Sequence, residues 1–441
     1  MRAYRWGRRA LALAACASSL CCGFASAVFA QVGSFGGVGG PDLTAPTVVT
    51  GRPDAFARPS VEYTALPVGD WLLYPTLFLG ALYDTNVEQT PFGLSSPGGR
   101  LVPSLLAETT NGISKTTLYG MADGRLYTRG NGDSVSARAG AIENYQLLPD
   151  LNFYAQGDYT RQKDLFSTLG VDHSVTTINP TAVGLMPVRN PLSYNQFSGI
   201  GTVQKNFDRT FVGFGVSVVD QFYDRTGTGA PNPDGVTYTI NGRGGFWLTP
   251  DVYTFADGSG DWRRYSTSTF NSSGYRAIAG FGTDRIGLFR GEVFGGYQSE
   301  QHDFAGLGTV NGGVWGGRVH YYPLQELTIS AGLDQLLGVS FLAPSAGTPL
   351  GTSTKATTLL GEATYALGPE WAASGRAGYI NTTYVSNPRR DDAWTFGTTV
   401  TYSVWRNFGL TFDYQHTELS SNVAFQGFSR DVVTLGATYK Y

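Results

Sequence analysis

The chain has 441 residues, of which 41% are hydrophobic, 13% aromatic and 15% charged, with 59 glycines and a formal net charge of −3. Globular proteins usually carry about 25% charged residues, and abundant Gly, Tyr, Phe and Thr argue against helical bundles and coiled coils. The 25 Tyr and 26 Phe side chains are too much aromatic surface for a disordered chain, so the composition predicts a large all-β protein.

Residues 1–30 are predicted to be a secretory signal peptide. Four arginines among the first nine residues precede small apolar residues, and Val-Phe-Ala at the end predicts cleavage after Ala30. Cleavage after Ala27 and lipidation of Cys16 are alternatives. Because all three cysteines lie in this segment, we expect no disulfide and no thiolate metal site in the mature chain. Loss of the four arginines makes that chain more acidic, unlike a nucleic-acid-binding protein.

Residues 31–70 form a Gly- and Pro-rich segment that is typical of an extended, largely unstructured arm. We expect this arm to lie in the periplasm, as a tether or as a contact for periplasmic proteins. Its residues 47–50 (Thr-Val-Val-Thr) faintly resemble the energy-coupling box of TonB-dependent transporters. Those transporters continue with a long plug domain, for which there is no room before the first predicted strand, so we favour the tether.

Residues 71–441 repeat one pattern, in which a segment of alternating polarity is followed by a turn. In one such segment Trp394, Phe396 and Val400 share a face, while Thr395 and Thr399 share the other. A period of two places alternate side chains on opposite faces of a strand, so each segment predicts a strand with one apolar and one polar face. The 18 predicted strands begin near Trp71, Leu101, Ser114, Ser134, Leu151, Asn195, Thr210, Gly235, Val252, Ser272, Gly287, Gly312, Leu327, Ser353, Trp371, Ala393, Phe408 and Asp431.

The predicted connections between these strands alternate in length. The short ones fall at residues 111–112, 149–150, 208–209, 250–251, 284–285, 323–326, 369–370 and 406–407. The longer ones fall at residues 165–192, 226–234, 302–311, 343–352, 386–392 and 418–430. Tight turns at one end and long loops at the other are typical of outer-membrane barrels, which satisfy every backbone hydrogen bond within a closed sheet. We therefore predict an all-β fold: a closed antiparallel transmembrane β-barrel of about 18 strands, with short periplasmic turns, longer extracellular loops and an aqueous lumen.

Aromatic residues mark both ends of the predicted strands, as expected for rings at the two membrane interfaces. The short-turn ends carry Trp71, Trp247, Trp371 and Trp405, and the long-loop ends carry Trp315 and Trp394. The last strand also places apolar residues at alternate positions up to a terminal aromatic. This pattern resembles the signal that outer-membrane barrels present to the barrel assembly machinery, and the predicted membrane-insertion signal consists of Val433, Leu435, Tyr439 and Tyr441.

Candidates for catalysis are few. Of the four histidines, His173 and His302 fall in predicted long loops, His320 on the lumen face of a predicted strand, and His416 after Asp413 near the outer rim. His416 stands near Asp413, Ser420 and Ser421, a nominal hydrolase set that lacks the sequence contexts of outer-membrane phospholipases and omptin proteases. The sequence shows no metal-ligand spacing and no phosphate-binding loop. We predict no enzymatic activity, no metal and no cofactor.

Eleven charged residues fall on the polar faces of the predicted strands and are expected to line the lumen. Both signs of charge are present, which argues against a pore that selects one sign of ion. These residues either pair across strands and stiffen the wall, or form a hydrophilic track for a polar solute. The lumen-lining candidates are Asp123, Arg125, Arg138, Asp158, Arg276, Arg290, Glu292, Arg318, Glu362, Arg376 and Asp413.

The first predicted strand, in its residues 79–87 with Tyr83, Asp84 and Asn86 near the end, resembles the opening motif of the putative β-barrel porin 2 family of proteobacterial outer-membrane proteins. Residues 152–161 are similar to that family in their sequence pattern. The resemblance implies a signal peptide, a short arm, about 18 strands and no catalytic residues. Because family members frequently occur beside exopolysaccharide or capsule loci, it also implies an outer-membrane conduit for secreted polysaccharide, supplied by periplasmic export proteins. A passive diffusion porin for small hydrophilic solutes is the alternative, and a surface-binding or structural barrel is the third class.

Overall fold

The structure is a computed structural model that describes residues 65–130, 132–163, 193–224, 234–266, 268, 271–304, 308–340, 352–368, 370–385, 388–422 and 427–440. The predictions for the signal peptide, its cleavage site, Cys16 and most of the arm lie outside the described residues. So do His173 and the whole of the predicted loop at residues 165–192.

All the regular elements in the described residues are β-strands, and the eighteen predicted strands are present among them. No helix in this part of the chain has the length and hydropathy needed to cross a membrane. The strands are β1 (Leu66–Val68), β2 (Trp71–Asp84), β3 (Ser96–Thr110), β4 (Ser114–Tyr127), β5 (Ser134–Leu148), β6 (Leu151–Lys163), β7 (Ser193–Asn206), β8 (Thr210–Tyr223), β9 (Gly235–Trp247), β10 (Val252–Tyr265), β11 (Ser272–Ile286), β12 (Phe289–His302), β13 (Thr309–Leu324), β14 (Leu327–Ser340), β15 (Thr352–Ala366), β16 (Trp371–Tyr384), β17 (Arg390–Trp405), β18 (Phe408–Ser421) and β19 (Phe428–Lys440).

Strands β2 to β19 form a closed barrel. Each pairs antiparallel with the next strand along the chain, and β19 pairs with β2 over nine residue pairs, from Val432↔Asp84 to Lys440↔Thr76. This closure of eighteen strands confirms the predicted fold class. Strand β1 is an addition to it, since it forms in the last residues of the predicted arm and pairs with residues 71–73 of β2.

The two faces of the barrel wall differ sharply in the accessibility of their apolar side chains. On β2 the side chain of Leu79 is 63% exposed, whereas its neighbour Phe78 is 1% exposed. On β19 Leu435 is 61% exposed and Thr434 only 2%. Because large apolar side chains stay accessible on one face, that face is the surface that lipid covers.

Two aromatic pairs on β16 and β17 mark the edges of the lipid-covered face. The rings of Trp371 and Tyr402 are tilted against each other with centroids 4.5 Å apart, and the ring centroids of Tyr379 and Trp394 are 4.3 Å apart. The first pair adjoins a short turn and the second lies toward a long loop. Nine residues of β16 run from Trp371 to Tyr379, which matches the roughly 9–11 residues that a tilted strand needs to cross a bilayer.

The opposite face contains a core of aromatic rings that lie flat over glycines of the neighbouring strand. Phe211 on β8 is 2% exposed and stands opposite Gly245, where an added Cβ would lie 2.1 Å from its Cζ atom. Tyr253 on β10 covers Gly282 in the same way, with a corresponding distance of 2.2 Å. The absence of side chains at these glycines therefore lets the rings pack against the wall instead of standing out from it.

One predicted short connection is wrong. Asp284 and Arg285 lie inside β11, and the turn to β12 is formed by Gly287 and Leu288. The pairing of β11 with β12 shifts register between Thr283 and Ile286. This bulge interrupts the alternation of side chains, which is why the sequence looked like a turn there. Gly287 has a φ of +61°, a conformation that favours glycine and supplies the actual reversal.

Candidate functional site

The candidate site is the face of the wall that lies opposite the lipid-covered face, and we call it the charged face. All eleven residues predicted to line the lumen lie in strands and belong to this face by their register. Their neighbours in sequence show the contrast: Val293, next to Glu292, is 62% exposed, and Leu126, next to Arg125, is 66% exposed. The alternation of the strands thus separates the charged groups from the apolar ones.

Asp123 on β4 lies between two arginines. Its Oδ2 atom is 2.8 Å from Nη2 of Arg100 and 2.9 Å from Nη2 of Arg125, and Nε of Arg100 donates to Oδ1 at 3.0 Å. Arg100 is not among the predicted residues because Pro97, Gly98 and Gly99 resemble a loop, whereas β3 begins before them at Ser96. The earlier start of β3 is what brings Arg100 onto the charged face.

Asp158 on β6 is the centre of a second network. Arg138 Nη2 donates to its Oδ1 atom at 2.9 Å, and the Tyr119 hydroxyl donates to the same oxygen. Gln156 donates to the other carboxylate oxygen at 2.5 Å and accepts a hydrogen bond from the Tyr154 hydroxyl. The carboxylate therefore joins three strands, β4, β5 and β6.

Arg376 on β16 forms a third network with Asp413 and Thr399. Its Nη2 atom is 3.0 Å from Oδ1 of Asp413, and its Nη1 atom donates to the Thr399 hydroxyl at 2.8 Å. Thr399 in turn donates to Asp413 at 2.6 Å. Glu362 on β15 stands directly opposite Arg376 in register. The predicted residues Glu362, Arg376 and Asp413 thus lie together.

Glu292 on β12 accepts hydrogen bonds from groups on two other strands. Nη2 of Arg243, on β9, and the hydroxyl of Tyr253, on β10, each donate to its Oε1 atom at 2.6 Å. The Arg243 guanidinium also lies over the ring of Phe255, 3.8 Å from its centroid. Sequence reasoning missed Arg243 because glycines surround it, although its alternation with Ile240 and Tyr238 could have placed it on this face.

The remaining predicted residues are Arg276, Arg290 and Arg318. Arg318 Nη2 is 3.7 Å from Oδ2 of Asp334, and Arg290 stands opposite His320 in register. The guanidinium of Arg276 lies over the ring of Phe294, 5.3 Å from its centroid. Asp334 and Phe294 were not among the predicted residues.

A further ionic cluster, which the sequence did not predict, lies toward the long-loop end of β10. Arg263 Nε is 3.0 Å from Oδ2 of Asp261, and its Nη2 atom is 3.4 Å from Oε2 of Glu300 on β12. Arg263 and Glu300 are both almost fully buried. This cluster joins β10 to β12 across β11, in the same way as the contact of Arg243 with Glu292 crosses two strands.

The nominal hydrolase set does not assemble. Nδ1 of His416 is 2.9 Å from Oδ1 of Asp431, whereas Asp413 is bound to Arg376 and Thr399. In the described residues no three His, Cys, Asp or Glu side chains are grouped so that they could hold a metal ion. The arrangement of the charged face is therefore one of mutual ion pairing.

The residues of the predicted insertion signal lie on β19. Leu435 and Tyr439 are 61% and 52% exposed on the lipid-covered face, and Val433 shares their alternation. Leu435 pairs with Ala81, and Tyr439 pairs with Leu77 across the closing seam. Tyr441 lies outside the described residues.

The chain is similar to solved structures of outer-membrane proteins. The copper transporter OprC has 10% identity and a TM-score of 0.44 over 86% of this chain and 81% of that one. The siderophore receptor PirA from Pseudomonas aeruginosa has 8% identity and a TM-score of 0.41 over 84% and 80%. The anion-selective porin from Comamonas acidovorans has 10% identity and a TM-score of 0.36 over 84% and 99%.

No curated protein matches the chain in sequence. The family resemblance noted at residues 79–87 is confirmed over all the strands of the structure. The model of the family described as Putative beta-barrel porin 2 matches residues 58–441, so the chain belongs to this family of porin-like barrels and is an outer-membrane protein.

Proposed function

We propose that the barrel is a channel for carbohydrate and that its charged face lines the lumen. The observation that carries the proposal is the mutual pairing of the charges: Asp123, Asp158 and Asp413 each accept a hydrogen bond from an arginine within 3.0 Å. Paired charges leave a polar wall with little net field of either sign, which suits a neutral hydrophilic solute better than an ion. Hydroxyl groups such as those of Tyr154 and Thr399 add hydrogen-bonding capacity to this wall.

In its finer form the proposal is export of a secreted polysaccharide. The family resemblance favours this direction, since members frequently occur beside exopolysaccharide or capsule loci. Periplasmic export proteins would feed the polymer into the barrel, and the arm at residues 31–70 is the contact that we propose for them. Transport needs no catalytic step, no metal and no cofactor.

A passive diffusion porin for small hydrophilic solutes is the second candidate. It is favoured by the same pairing of charges, because a wall without a single-sign field also admits small neutral molecules. The two candidates differ in the size of the solute and in the direction of its net movement, and both can be measured in cells.

Deletion of the gene tests the proposal. If the barrel exports polysaccharide, the deletion strain loses secreted polysaccharide while its uptake of small neutral sugars stays at the parental level, and a plasmid copy restores secretion. Normal secretion with reduced uptake would contradict export and support the diffusion porin. A strain that changes in neither property would contradict the channel proposal in both forms.

A further inference from the structure

An arginine and a carboxylate on the charged face lack the partners that their neighbours have. Arg276 on β11 is 7% exposed, and Asp257 on the adjacent strand β10 is 5% exposed. Nε of Arg276 and Oδ2 of Asp257 are buried without a hydrogen-bond partner. Neither side chain forms a hydrogen bond or an ion pair with any residue in the described part of the chain.

The neighbouring arginines Arg243 and Arg318 each form an ion pair with a carboxylate. Arg243 stands opposite Asp257 in register, yet its Nη2 atom is 2.6 Å from Glu292. Arg318 has Asp334 as its ion-pair partner, at 3.7 Å. Nearby ionic groups thus have ion-pair partners within 4.0 Å. Among the described residues, Arg276 and Asp257 have none at that distance and interact with each other, and with Asp334 and Arg243 respectively, only at longer range.

Register and packing explain why Arg276 and Asp257 do not pair with each other. Asp257 stands opposite Ile278, and Arg276 stands opposite Ser259, so the two are diagonal across the β10–β11 pair. The Arg276 guanidinium lies over the ring of Phe294 on β12, on the side away from β10, with 5.3 Å between its Cζ atom and the centroid. A cation over an aromatic face is attracted to it, and the ring therefore holds the guanidinium in place.

These groups have the chemistry of a sugar site. The guanidinium supplies only donors and the carboxylate only acceptors. Arg276 attracts an anion and Asp257 repels it, whereas Asp257 attracts a cation and Arg276 repels it. A neutral polyol carries both donors and acceptors, so it satisfies both groups at once.

We propose that Arg276 and Asp257 form a binding subsite for a neutral sugar unit on the barrel wall, with Phe294 as the residue that positions the guanidinium. This inference rests on the proposed function, because it requires that carbohydrate enters the lumen. It goes further by naming the place where a sugar is held during passage.

The test is block of single-channel current by maltohexaose, with the purified full chain in a planar bilayer. Arg276→Gln removes the charged donors and should raise the concentration for half-maximal block about tenfold, the effect of losing one hydrogen bond to a charged group. Asp257→Asn is an independent variant on the other strand and should shift the block in the same direction. Arg264→Gln is the matched control, since it removes an arginine that lies on the strand of Asp257 but shares the alternation of Trp262, off the charged face; it should leave the block unchanged.

The outcomes separate the subsite from the proposed function. Wild-type protein that gives no current contradicts the channel itself. Wild-type current with a block that is absent, or equal in all variants, leaves the channel in place and overturns the subsite. Inorganic phosphate is the second probe: it should not compete with maltohexaose, and competition that Arg276→Gln abolishes would make the site an anion site and overturn the proposal. Each variant is run on a gel unheated and boiled, and a difference in mobility between the two samples, as for the wild type, shows that the variant is folded.

Discussion

The carboxylate of Asp84, on β2, accepts hydrogen bonds from the guanidinium of Arg430, on β19, at 2.6, 3.0 and 3.1 Å. Asp84 is completely buried, and the Tyr127 hydroxyl also donates to it at 2.9 Å. Residues 346 positions apart in the sequence are thus joined at the long-loop end of the closing seam. Because Asp84 belongs to the motif by which the sequence resembles its family, that motif has a physical role in holding the barrel closed.

The neighbouring motif residues strengthen the same seam. Asn86 donates from Nδ2 to the carbonyl of Ser429 at 3.0 Å. The backbone N–H of Thr85 donates to the carbonyl of Asp431 at 3.0 Å, and the N–H of Asp431 donates to the Thr85 hydroxyl at 2.8 Å. The first and last strands of the barrel are therefore fastened by side chains as well as by their backbone ladder.

We expect Asp84→Ala to destabilise the barrel strongly. The substitution removes the buried carboxylate that pairs with the largely buried guanidinium of Arg430, and breaking such a pair costs about 3–5 kcal/mol of the free energy of unfolding. Asp303→Ala is the control, because its pair with Arg264 is half-exposed on both sides and 3.5 Å long; it should cost no more than about 1 kcal/mol. Urea unfolding in detergent, followed by tryptophan fluorescence, measures both. Equal effects of the two substitutions would contradict a special role for the seam.

The packing of rings over glycines predicts that Gly245→Ala is destabilising. The new Cβ would overlap the ring of Phe211, and overpacking of this kind costs about 1–3 kcal/mol. Gly242 lies on the same strand and has no atom within 4 Å of an added Cβ, so Gly242→Ala should change the free energy of unfolding by less than about 0.5 kcal/mol. The same urea titration compares the two variants. A Gly245→Ala protein as stable as the wild type would show that packing of the Phe211 ring does not require a glycine at position 245.

Removal of residues 439–441 should sharply reduce insertion into the outer membrane. The truncation takes away Tyr439 and Lys440, which pair with Leu77 and Thr76 in the closing seam, together with the terminal aromatic of the predicted assembly signal. Deletion of residues 33–41 is the control and should leave insertion intact, because that part of the arm has no apolar alternation to pack. Fractionation and blotting give the amounts, and normal insertion of the truncated chain would count against the signal.

Gln298 should control local opening between β13 and β14. Its Nε2 atom donates to the carbonyl of Leu337 at 3.1 Å, and the N–H of Leu337 donates to its Oε1 atom at 3.2 Å. On the long-loop side, the described backbone pairing of β13 with β14 ends at Gly316↔Asp334. Beyond that pair, the Gln298 side chain from β12 hydrogen-bonds to the backbone of β14 at Leu337 in place of β13. Gln298→Leu should accelerate hydrogen–deuterium exchange in the peptide containing Leu337. Gln335→Leu, which removes only a contact with the Thr357 hydroxyl, should not; identical exchange in both would contradict this role.

The strands could be predicted because one face of each is covered by lipid and the other belongs to the charged face. Lipid selects apolar residues at every second position, and eleven of the eighteen predicted first residues coincide with observed ones, Trp71 and Phe408 among them. The turn predicted at Asp284 and Arg285 is wrong because a bulge there interrupts the alternation of side chains.

The partners of the charged residues could not be predicted in the same way. Arg243 contacts Glu292 from three strands away, and this contact depends on curvature and register that no local pattern carries. The alternation placed Glu292 on the correct face without indicating what it binds.

We propose that this barrel is an open channel whose wall carries paired charges of both signs and accommodates carbohydrate. Single-channel recording of the purified chain in a planar bilayer, under a potassium chloride gradient, tests it most directly. We expect discrete current steps with a permeability ratio of K⁺ to Cl⁻ near one, because the charges of both signs on the wall neutralise one another. The absence of steps, or a strong preference for one ion, would contradict the account.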